Sequence, residues 1–128
     1  MNEINLIGKV ISGRGEGRKY LALAWVTQQL TEKLGFAPFA GTLNLQLEVG
    51  SVKQKKQLNK NTALDICQSK GYCAGLLFKA TIVGLDCAIV IPQIEHYPDD
   101  LLEVVAAVDL RRELRLHDGD DVEVTVLL

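Results

Sequence analysis

Short segments in which apolar and polar residues alternate recur along the whole chain, and one stands near each end. The last is the clearest, since Val122, Val124 and Val126 alternate with Glu123 and Thr125. Alternation with a period of two is typical of a strand that buries one face. Many short strands, few helices and a strand at each terminus predict a mainly β fold, a closed or nearly closed barrel with short helical insertions. A three-layer α/β sheet is the alternative, disfavoured because strands and helices do not alternate regularly.

No low-complexity linker interrupts the chain, so we expect a single domain over residues 1–128. Strands are predicted at about 3–12, 41–47, 72–83, 86–92, 101–108 and 122–127. Helices are predicted at about 20–34, 62–69 and 110–114, with Gly35 as a C-terminal stop and Asp109 as an N-cap. Lysines cluster within 50–60, and we interpret that segment as a solvated loop or helix face.

Composition and charge restrict the possible partners. With 48% hydrophobic and 23% charged residues, the chain can bury an ordinary core. A formal net charge of -2 and a pI near 5.6 argue against a nucleic-acid partner and favour a small-molecule ligand. Membrane-span and signal-peptide patterns are not found, so we expect a cytoplasmic protein with no membrane partner. Cys67, Cys73 and Cys87 lack Cys-x-x-Cys spacing, and we interpret them as reduced thiols rather than zinc ligands.

A glycine-rich motif directly follows the first predicted strand. It consists of Gly13-Arg14-Gly15-Glu16-Gly17-Arg18. Glycines at alternate positions allow left-handed backbone conformations and bring N–H groups close to a phosphate, and the arginines add positive charge for the same anion. The ending of a Walker A loop and the Rossmann spacing are both missing. The alternative is a tight, charged connection without a ligand.

A second motif, Gly41-Thr42-Leu43-Asn44-Leu45, begins about 25 residues further on. Its alternation puts Thr42 and Asn44 on one face of a strand and the leucines on the other, core-facing side. A hydroxyl and an amide two residues apart can reach one hard cation that keeps most of its waters, which suits Mg²⁺. The alternative is a half-buried strand with a solvated polar face. Together the two motifs suggest a nucleotide and its metal.

The order of motifs along the chain resembles that of the archaeal CTP-dependent riboflavin kinases, over about Gly8 to Val126. The resemblance is carried by the two motifs above and by Tyr97-Pro98 after Ile91-Pro92, Leu101-Leu102-Glu103-Val104, Leu110-Arg111, and Leu116-x-Asp118-Gly119-Asp120. It implies a cradle-loop barrel of the riboflavin-kinase type. It also implies an enzyme that transfers the γ-phosphate of CTP to the 5′-hydroxyl of riboflavin with Mg²⁺, giving FMN and CDP.

The resemblance assigns roles to individual positions. Residues Gly13 to Arg18 would hold the nucleotide phosphates, and Thr42 and Asn44 would hold Mg²⁺. The run Val108-Asp109-Leu110-Arg111 would line the cytidine pocket, largely through backbone groups. Glu103 would face the ribityl chain of the flavin and contact its 5′-hydroxyl.

The identity of a catalytic base stays open, and the candidates are Glu103 and the two histidines. A carboxylate in an apolar strand can simply point to solvent, although the resemblance favours a contact with riboflavin. Whether Glu103 is a general base is undecided, because phosphoryl transfer depends mainly on positioning and charge neutralisation. His96 is a further candidate base, but a lone histidine beside Tyr97 and Pro98 is more often a loop residue. His117 lies at a charged turn and is expected to be exposed.

One departure from the family pattern bears on the acceptor. The family commonly places Arg-Thr before His-Tyr-Pro, whereas Ile94-Glu95 precede His96 here. Each lost charge-assisted bond to the product phosphate is a change of about 1 to 3 kcal/mol, so FMN should bind more weakly. Either the chain is a kinase with faster product release, or it is a relative with another substrate or with nucleotide or flavin binding alone. A swapped-hairpin DNA-binding regulator is a third hypothesis, which the acidic C-terminal segment disfavours.

Overall fold

The computed structural model describes residues 3–12, 24–58, 64–69, 72–93 and 96–128. The strands in these ranges are β1 (Glu3–Ile11), β2 (Leu43–Leu47), β3 (Leu64–Ser69), β4 (Tyr72–Ile82), β5 (Leu85–Pro92), β6 (Leu101–Ala106) and β7 (Asp121–Leu127). The helices are α1 (Ala24–Leu34), α2 (Val49–Lys56) and α3 (Leu110–Glu113). The glycine motif at 13–18 and the Ile94-Glu95 pair lie outside the described residues.

Six strands close into an antiparallel barrel in the order β4-β5-β6-β2-β1-β7. The closing contact is between β4 and β7, where Ala80 is the register partner of Val126 and Thr81 that of Thr125. The other end of the long strand β4 pairs with β3, which lies outside the closed ring. The mainly β fold and its closed barrel are therefore confirmed.

Alternation along the strands fills the barrel interior. Leu6, Leu45, Phe78, Ile89 and Val124 are all buried in one apolar cluster. In β7 the predicted alternation is confirmed, because its valines are buried while Glu123 is exposed. These inward-facing side chains fix which residues of each strand point outward.

The backbones of β1 and β2 approach closely at Gly8. A Cβ at this position would lie 2.8 Å from the carbonyl oxygen of Gln46, a backbone atom that cannot move aside. Glycine is therefore required for this pairing, which brings the end of β1 beside the start of β2.

Helix α1 covers part of the outer face of the barrel. Its Val26 and Leu30 pack on Leu77, Val90 and Val105 in a second apolar cluster. Strands β5 and β6 are thus buried on both faces, which is why their sequences are apolar runs rather than alternating ones. The helix ends as predicted at Gly35, which has φ +80° and donates to the carbonyl oxygen of Thr31.

Three predicted boundaries or elements differ from the structure. The helix predicted at 62–69 is wrong, because residues 64–69 form β3 and pair with β4. A short segment has only a weak local helix preference, which a ladder of backbone hydrogen bonds overrides. Strand β6 ends at Ala106 rather than at 108, because the chain then turns into the N-cap of α3. Strand β4 ends at Ile82 and β5 begins at Leu85, each one residue before the predicted bound, so the turn lies at Val83–Gly84.

Candidate active site

The polar residues at the start of β2 lie on the outer face of the barrel. Leu43 and Leu45 are buried in the core, whereas Thr42 and Asn44 are half-buried on the opposite side. The hydroxyl of Thr42 donates to Oδ1 of Asn44 at 3.0 Å. The shared face of Thr42 and Asn44 is thus confirmed, and two neutral oxygens stand next to each other.

Glu103 lies in the neighbouring strand, directly opposite Asn44. The two residues are register partners in the antiparallel pair of β2 and β6, and Asn44 is in turn the partner of Ile11 in β1. Side chains at such positions point to the same face, with Cβ atoms about 5 Å apart. Glu103 is only 3% exposed, so the alternative in which it points to solvent is wrong.

A cavity of about 430 Å³ opens at the end of the barrel where β1 and β6 end and β2 begins. We call it cavity 1. Its lining includes Ile11 and Ser12, the segment from Phe39 to Asn44, Val104, Ala106, and the segment from Val108 to Arg111. The structure therefore brings Thr42 and Asn44 together with the run at 108–111, although the two are far apart in sequence. Ser12, the residue directly before the glycine motif, lies in the same lining.

A polar network ties the end of β1 to α3 beside cavity 1. The hydroxyl of Ser12 donates to Oδ2 of Asp118 at 2.8 Å, and Nη1 of Arg111 donates to Oδ1 of the same carboxylate at 2.9 Å. The hydrogen bonds from Ser12 and Arg111 lower the pKa of Asp118 below its ordinary value. Asp109 caps the helix as predicted, accepting from the backbone N–H of Arg112. The role of Asp118 was not predicted, although it stands in a motif that carries the family resemblance.

A second cavity, of about 530 Å³, lies next to helix α2. We call it cavity 2. Its apolar lining comes from Leu58, Leu76, Ile91, Pro92 and the ring of Tyr97, and its polar lining from Lys55, Lys56, Gln93 and Asp99. The hydroxyl of Tyr97 donates to Oε2 of Glu103 at 2.7 Å. Glu103 is therefore linked to a residue of each lining, because Asn44 of cavity 1 is its register partner and Tyr97 of cavity 2 donates to its carboxylate.

Lys55 is a buried cation that sequence reasoning missed. Only 8% of it is exposed, whereas Lys53 and Lys56 on the same helix are exposed as predicted. Its Nζ donates to the carbonyl oxygens of Asp99 at 3.1 Å and Leu101 at 2.9 Å. Burial lowers its pKa, and nearby carboxylates oppose that change. The sequence carries no clear signal of this burial; in the structure Ser51, the only other polar residue buried among those described in α2, stands four positions before Lys55 on the same helix face.

Other predicted residues have no part in this arrangement. His96 and His117 are both exposed. Cys87 is a buried free thiol whose pKa is raised by burial to about 12, in agreement with a reduced structural cysteine. The side chains of Cys67 and Cys73 lie outside the described ones. Within the described ranges no helix is both long and apolar enough to cross a membrane.

The oxygen atoms beside cavity 1 are of the kinds that bind a hard divalent cation. Within the described residues no three His, Cys, Asp or Glu side chains lie close enough to hold a metal ion. Thr42 and Asn44 supply two adjacent neutral oxygens, and a carboxylate lies across from Asn44. Mg²⁺ is commonly bound through few protein oxygens together with waters and substrate phosphates, so the residues fit this ion.

On this barrel, the polar pair of Thr42 and Asn44 and the buried carboxylate of Glu103 connect the linings of two cavities. A family model for the CTP-dependent riboflavin kinase domain, described as domain of unknown function DUF120, matches residues 10–126. The chain therefore belongs to the CTP-dependent riboflavin kinase family.

Curated relatives support this membership. The chain is 43% identical to a riboflavin kinase of Ignicoccus hospitalis, over 96% of this chain and 71% of the relative. It is 42% identical to the riboflavin kinase of Pyrobaculum aerophilum, over 98% of this chain and 61% of the relative. For the Archaeoglobus fulgidus riboflavin kinase the identity is 41%, over 98% of this chain and 55% of the relative. The chain thus spans less than two thirds of the second and third of these relatives.

Proposed function

We propose that the chain transfers the γ-phosphate of CTP to the 5′-hydroxyl of riboflavin, giving FMN and CDP in the presence of Mg²⁺. One observation carries the proposal: Asn44, in the lining of cavity 1, is the register partner of Glu103, which accepts a hydrogen bond from Tyr97 in the lining of cavity 2. A phosphoryl transferase needs a donor site and an acceptor site that meet where the metal ligands and a polar group for the acceptor stand together.

Cavity 1 is the proposed donor site. The residues proposed for the phosphates, Gly13 to Arg18, follow Ser12, which lies in the lining of this cavity. The residues proposed for the cytidine, Val108 to Arg111, line it as well. Arg111 is held at Asp118 and thus keeps a defined position beside the end of β1. Ser12 and the run from Val108 to Arg111 line one space, which supports a single nucleotide with its cytidine at 108–111 and its phosphates toward the motif that follows Ser12.

Thr42 and Asn44 are the proposed ligands of Mg²⁺. When bound, the ion would neutralise phosphate charge and help to align the donor. The contribution of the chain is to fix the two oxygens, since the hydrogen bond between them limits their rotation. Their neutral character leaves the positive charge of the ion available to the phosphates.

Cavity 2 is the proposed acceptor site. Its apolar wall and the Tyr97 ring suit a flat aromatic system such as the isoalloxazine ring, and its polar residues suit the hydroxyls of a ribityl chain. The segment that departs from the family pattern, Ile94-Glu95, directly follows Gln93 in this lining. We therefore still predict that FMN binds more weakly in cavity 2 than it does in relatives with the usual family pattern.

Glu103 would act on the acceptor hydroxyl. Its carboxylate would accept a hydrogen bond from the riboflavin 5′-hydroxyl and orient that oxygen toward the γ-phosphorus. A bond then forms between this oxygen and phosphorus, the bond from phosphorus to the β,γ-bridging oxygen breaks, and CDP leaves with the electron pair. The hydroxyl proton is released to water as the new bond forms, and Glu103 orients the hydroxyl rather than accepting its proton. A strong base is not required for this transfer.

The direct test is to incubate the purified protein with riboflavin, Mg²⁺ and each nucleoside triphosphate in turn, and to measure FMN and nucleoside diphosphate by chromatography. We expect FMN and CDP in equal amounts and a clear preference for CTP. Equal use of ATP would contradict the cytidine assignment at 108–111. No FMN with any donor would contradict the proposed reaction. A cytoplasmic location and the lack of a nucleic-acid partner remain predictions.

A further inference from the structure

We propose that Tyr97 and Lys55 are positioning residues that hold the carboxylate of Glu103 in place for the acceptor hydroxyl. This inference rests on the proposed function, because it assigns a task within that reaction. Neither residue is proposed to exchange a proton with the substrate.

Tyr97 acts on Glu103 directly. Its hydroxyl donates to Oε2 at 2.7 Å, the usual length of a well-formed O–H···O hydrogen bond. The side chain of Tyr97 is half-buried and its ring forms part of the wall of cavity 2. The hydrogen bond thus links the proposed acceptor cavity to the carboxylate and fixes the plane in which the carboxylate lies.

Lys55 holds the backbone of the segment between Tyr97 and Glu103. The hydrogen bond between Tyr97 and Glu103 joins the two ends of this segment. Within the segment, the carbonyl oxygens of Asp99 and Leu101 accept hydrogen bonds from Nζ of Lys55. The same Nζ lies 5.4 Å from the centre of the Tyr97 ring, within the range of a cation–π contact. Lys55 therefore contacts both the backbone that carries Glu103 and the ring that orients it.

A purely structural role explains Lys55 less well. Burying an ammonium group opposes its charged form, as the lowered pKa shows, and an apolar side chain could fill the same space. The segment is also attached to β2 independently of Lys55, because the N–H of Leu47 donates to the carbonyl oxygen of Asp100 at 2.7 Å. The additional contacts made by Lys55 act on the orientation of Tyr97 and Glu103.

The test compares Tyr97→Phe, Lys55→Met and the double variant with the unaltered protein, using kcat and the two KM values for FMN formation. Tyr97→Phe removes one hydroxyl, and we expect kcat to fall about tenfold with the KM for CTP within about twofold. Lys55→Met should lower kcat by a similar factor or less. In the double variant the two losses should not multiply, because Lys55 acts partly through Tyr97. Lys53→Met, an exposed lysine of the same helix, is the matched control and should match the unaltered protein.

Folding is checked by circular dichroism and thermal unfolding of each variant. If Lys55→Met does not fold, Lys55→Arg takes its place; it keeps a cation that can donate to carbonyl oxygens, and kcat should then fall by less than tenfold. Full activity of folded Tyr97→Phe would overturn the inference and leave the proposed function standing. So would losses that multiply in the double variant. An unaltered protein that makes no FMN would overturn both.

Discussion

Cavities 1 and 2 are built in different ways. Cavity 1 is formed where strands end, and its lining comes from runs of consecutive residues, such as Phe39 to Asn44 and Val108 to Arg111. Cavity 2 has one short run, Ile91 to Gln93, and otherwise collects residues from α2 and the segment after it, from β4, and from the segment before β6. A short motif can therefore encode much of the first, whereas the second exists only through tertiary packing. Glu103 is linked to both linings, through its register partner Asn44 in cavity 1 and through the hydrogen bond from Tyr97 in cavity 2.

Replacing Thr42 and Asn44 together with alanine tests the cavity 1 side most strongly. We expect turnover to fall roughly a thousandfold or more, because the metal would lose both proposed ligands. The fold should remain, since both side chains lie on the outer face and the leucines that form the core are kept. Rate measurements with riboflavin and CTP, together with circular dichroism, provide the check.

Gln46→Ala is the matched control for that double variant. Gln46 lies on the same face of β2 but is exposed and bonds to Asp100 at 3.2 Å, away from cavity 1. It should retain a rate close to that of the unaltered protein. Near-normal turnover of the Thr42 and Asn44 double variant would refute the metal assignment.

Glu103→Gln tests the residue that is linked to the linings of both cavities. The amide keeps the shape and can still accept from Tyr97, but it removes the charge that orients the acceptor hydroxyl. We expect kcat to fall roughly 10- to 100-fold, less than for the paired alanine variant, with the KM for CTP unchanged. A loss as large as that of the alanine pair would instead favour general-base catalysis by this carboxylate.

Asp118→Asn is expected to affect cavity 1 only. It weakens the bonds that hold Ser12 and Arg111, so the KM for CTP should rise about threefold while kcat and the KM for riboflavin stay unchanged. Steady-state kinetics with each substrate varied in turn will show whether the change is confined to the donor. An equal change for riboflavin would contradict the separation of the two cavities.

The smallest expected effect is the pH dependence of stability due to Asp118. Its pKa is lower in the folded protein than the ordinary 3.8, so its stabilising contribution is present above 3.8 and is lost as the pH falls through the folded value. The difference in thermal stability between the unaltered protein and Asp118→Asn should therefore shrink below about pH 4. Because the group is exposed, the difference should also shrink in high salt. A difference that grows on acidification would contradict this account.

Local sequence patterns were sufficient for most strands of the barrel and for the Thr42 and Asn44 side of cavity 1, whereas the run at 108–111 was assigned only through the family resemblance. Alternation identified β2 and β7, and the same alternation put Thr42 and Asn44 on a common face. The burial of Glu103 could not be predicted in this way, because period-two alternation says which face a residue is on but not what covers that face. The pairing of Asn44 with Glu103 depends on strand order, which no local pattern contains.

Residues that act through tertiary contacts were missed or wrongly interpreted. Lys55 looked like one of several solvated lysines, and only the fold supplies the carbonyl oxygens that it binds. Strand β3 was predicted as a helix although its partner is the next strand, β4, which begins only three residues after Ser69 and was itself predicted. For Lys55 it is the long-range partner, and for β3 the adjacent strand, that outweighs the local preference.

The central claim is that the glycine motif, the oxygen pair and the carboxylate meet at one donor–acceptor junction. A crystal structure of the protein with CDP, riboflavin and Mn²⁺ in place of Mg²⁺ would test it most directly, since the anomalous signal locates the ion. We expect the ion about 2.2 Å from Oγ1 of Thr42 and Oδ1 of Asn44, the diphosphate at residues 13–18, and the 5′-hydroxyl in hydrogen-bond reach of Glu103. An ion bound elsewhere, or a riboflavin whose 5′-hydroxyl lies far from Glu103, would contradict the account.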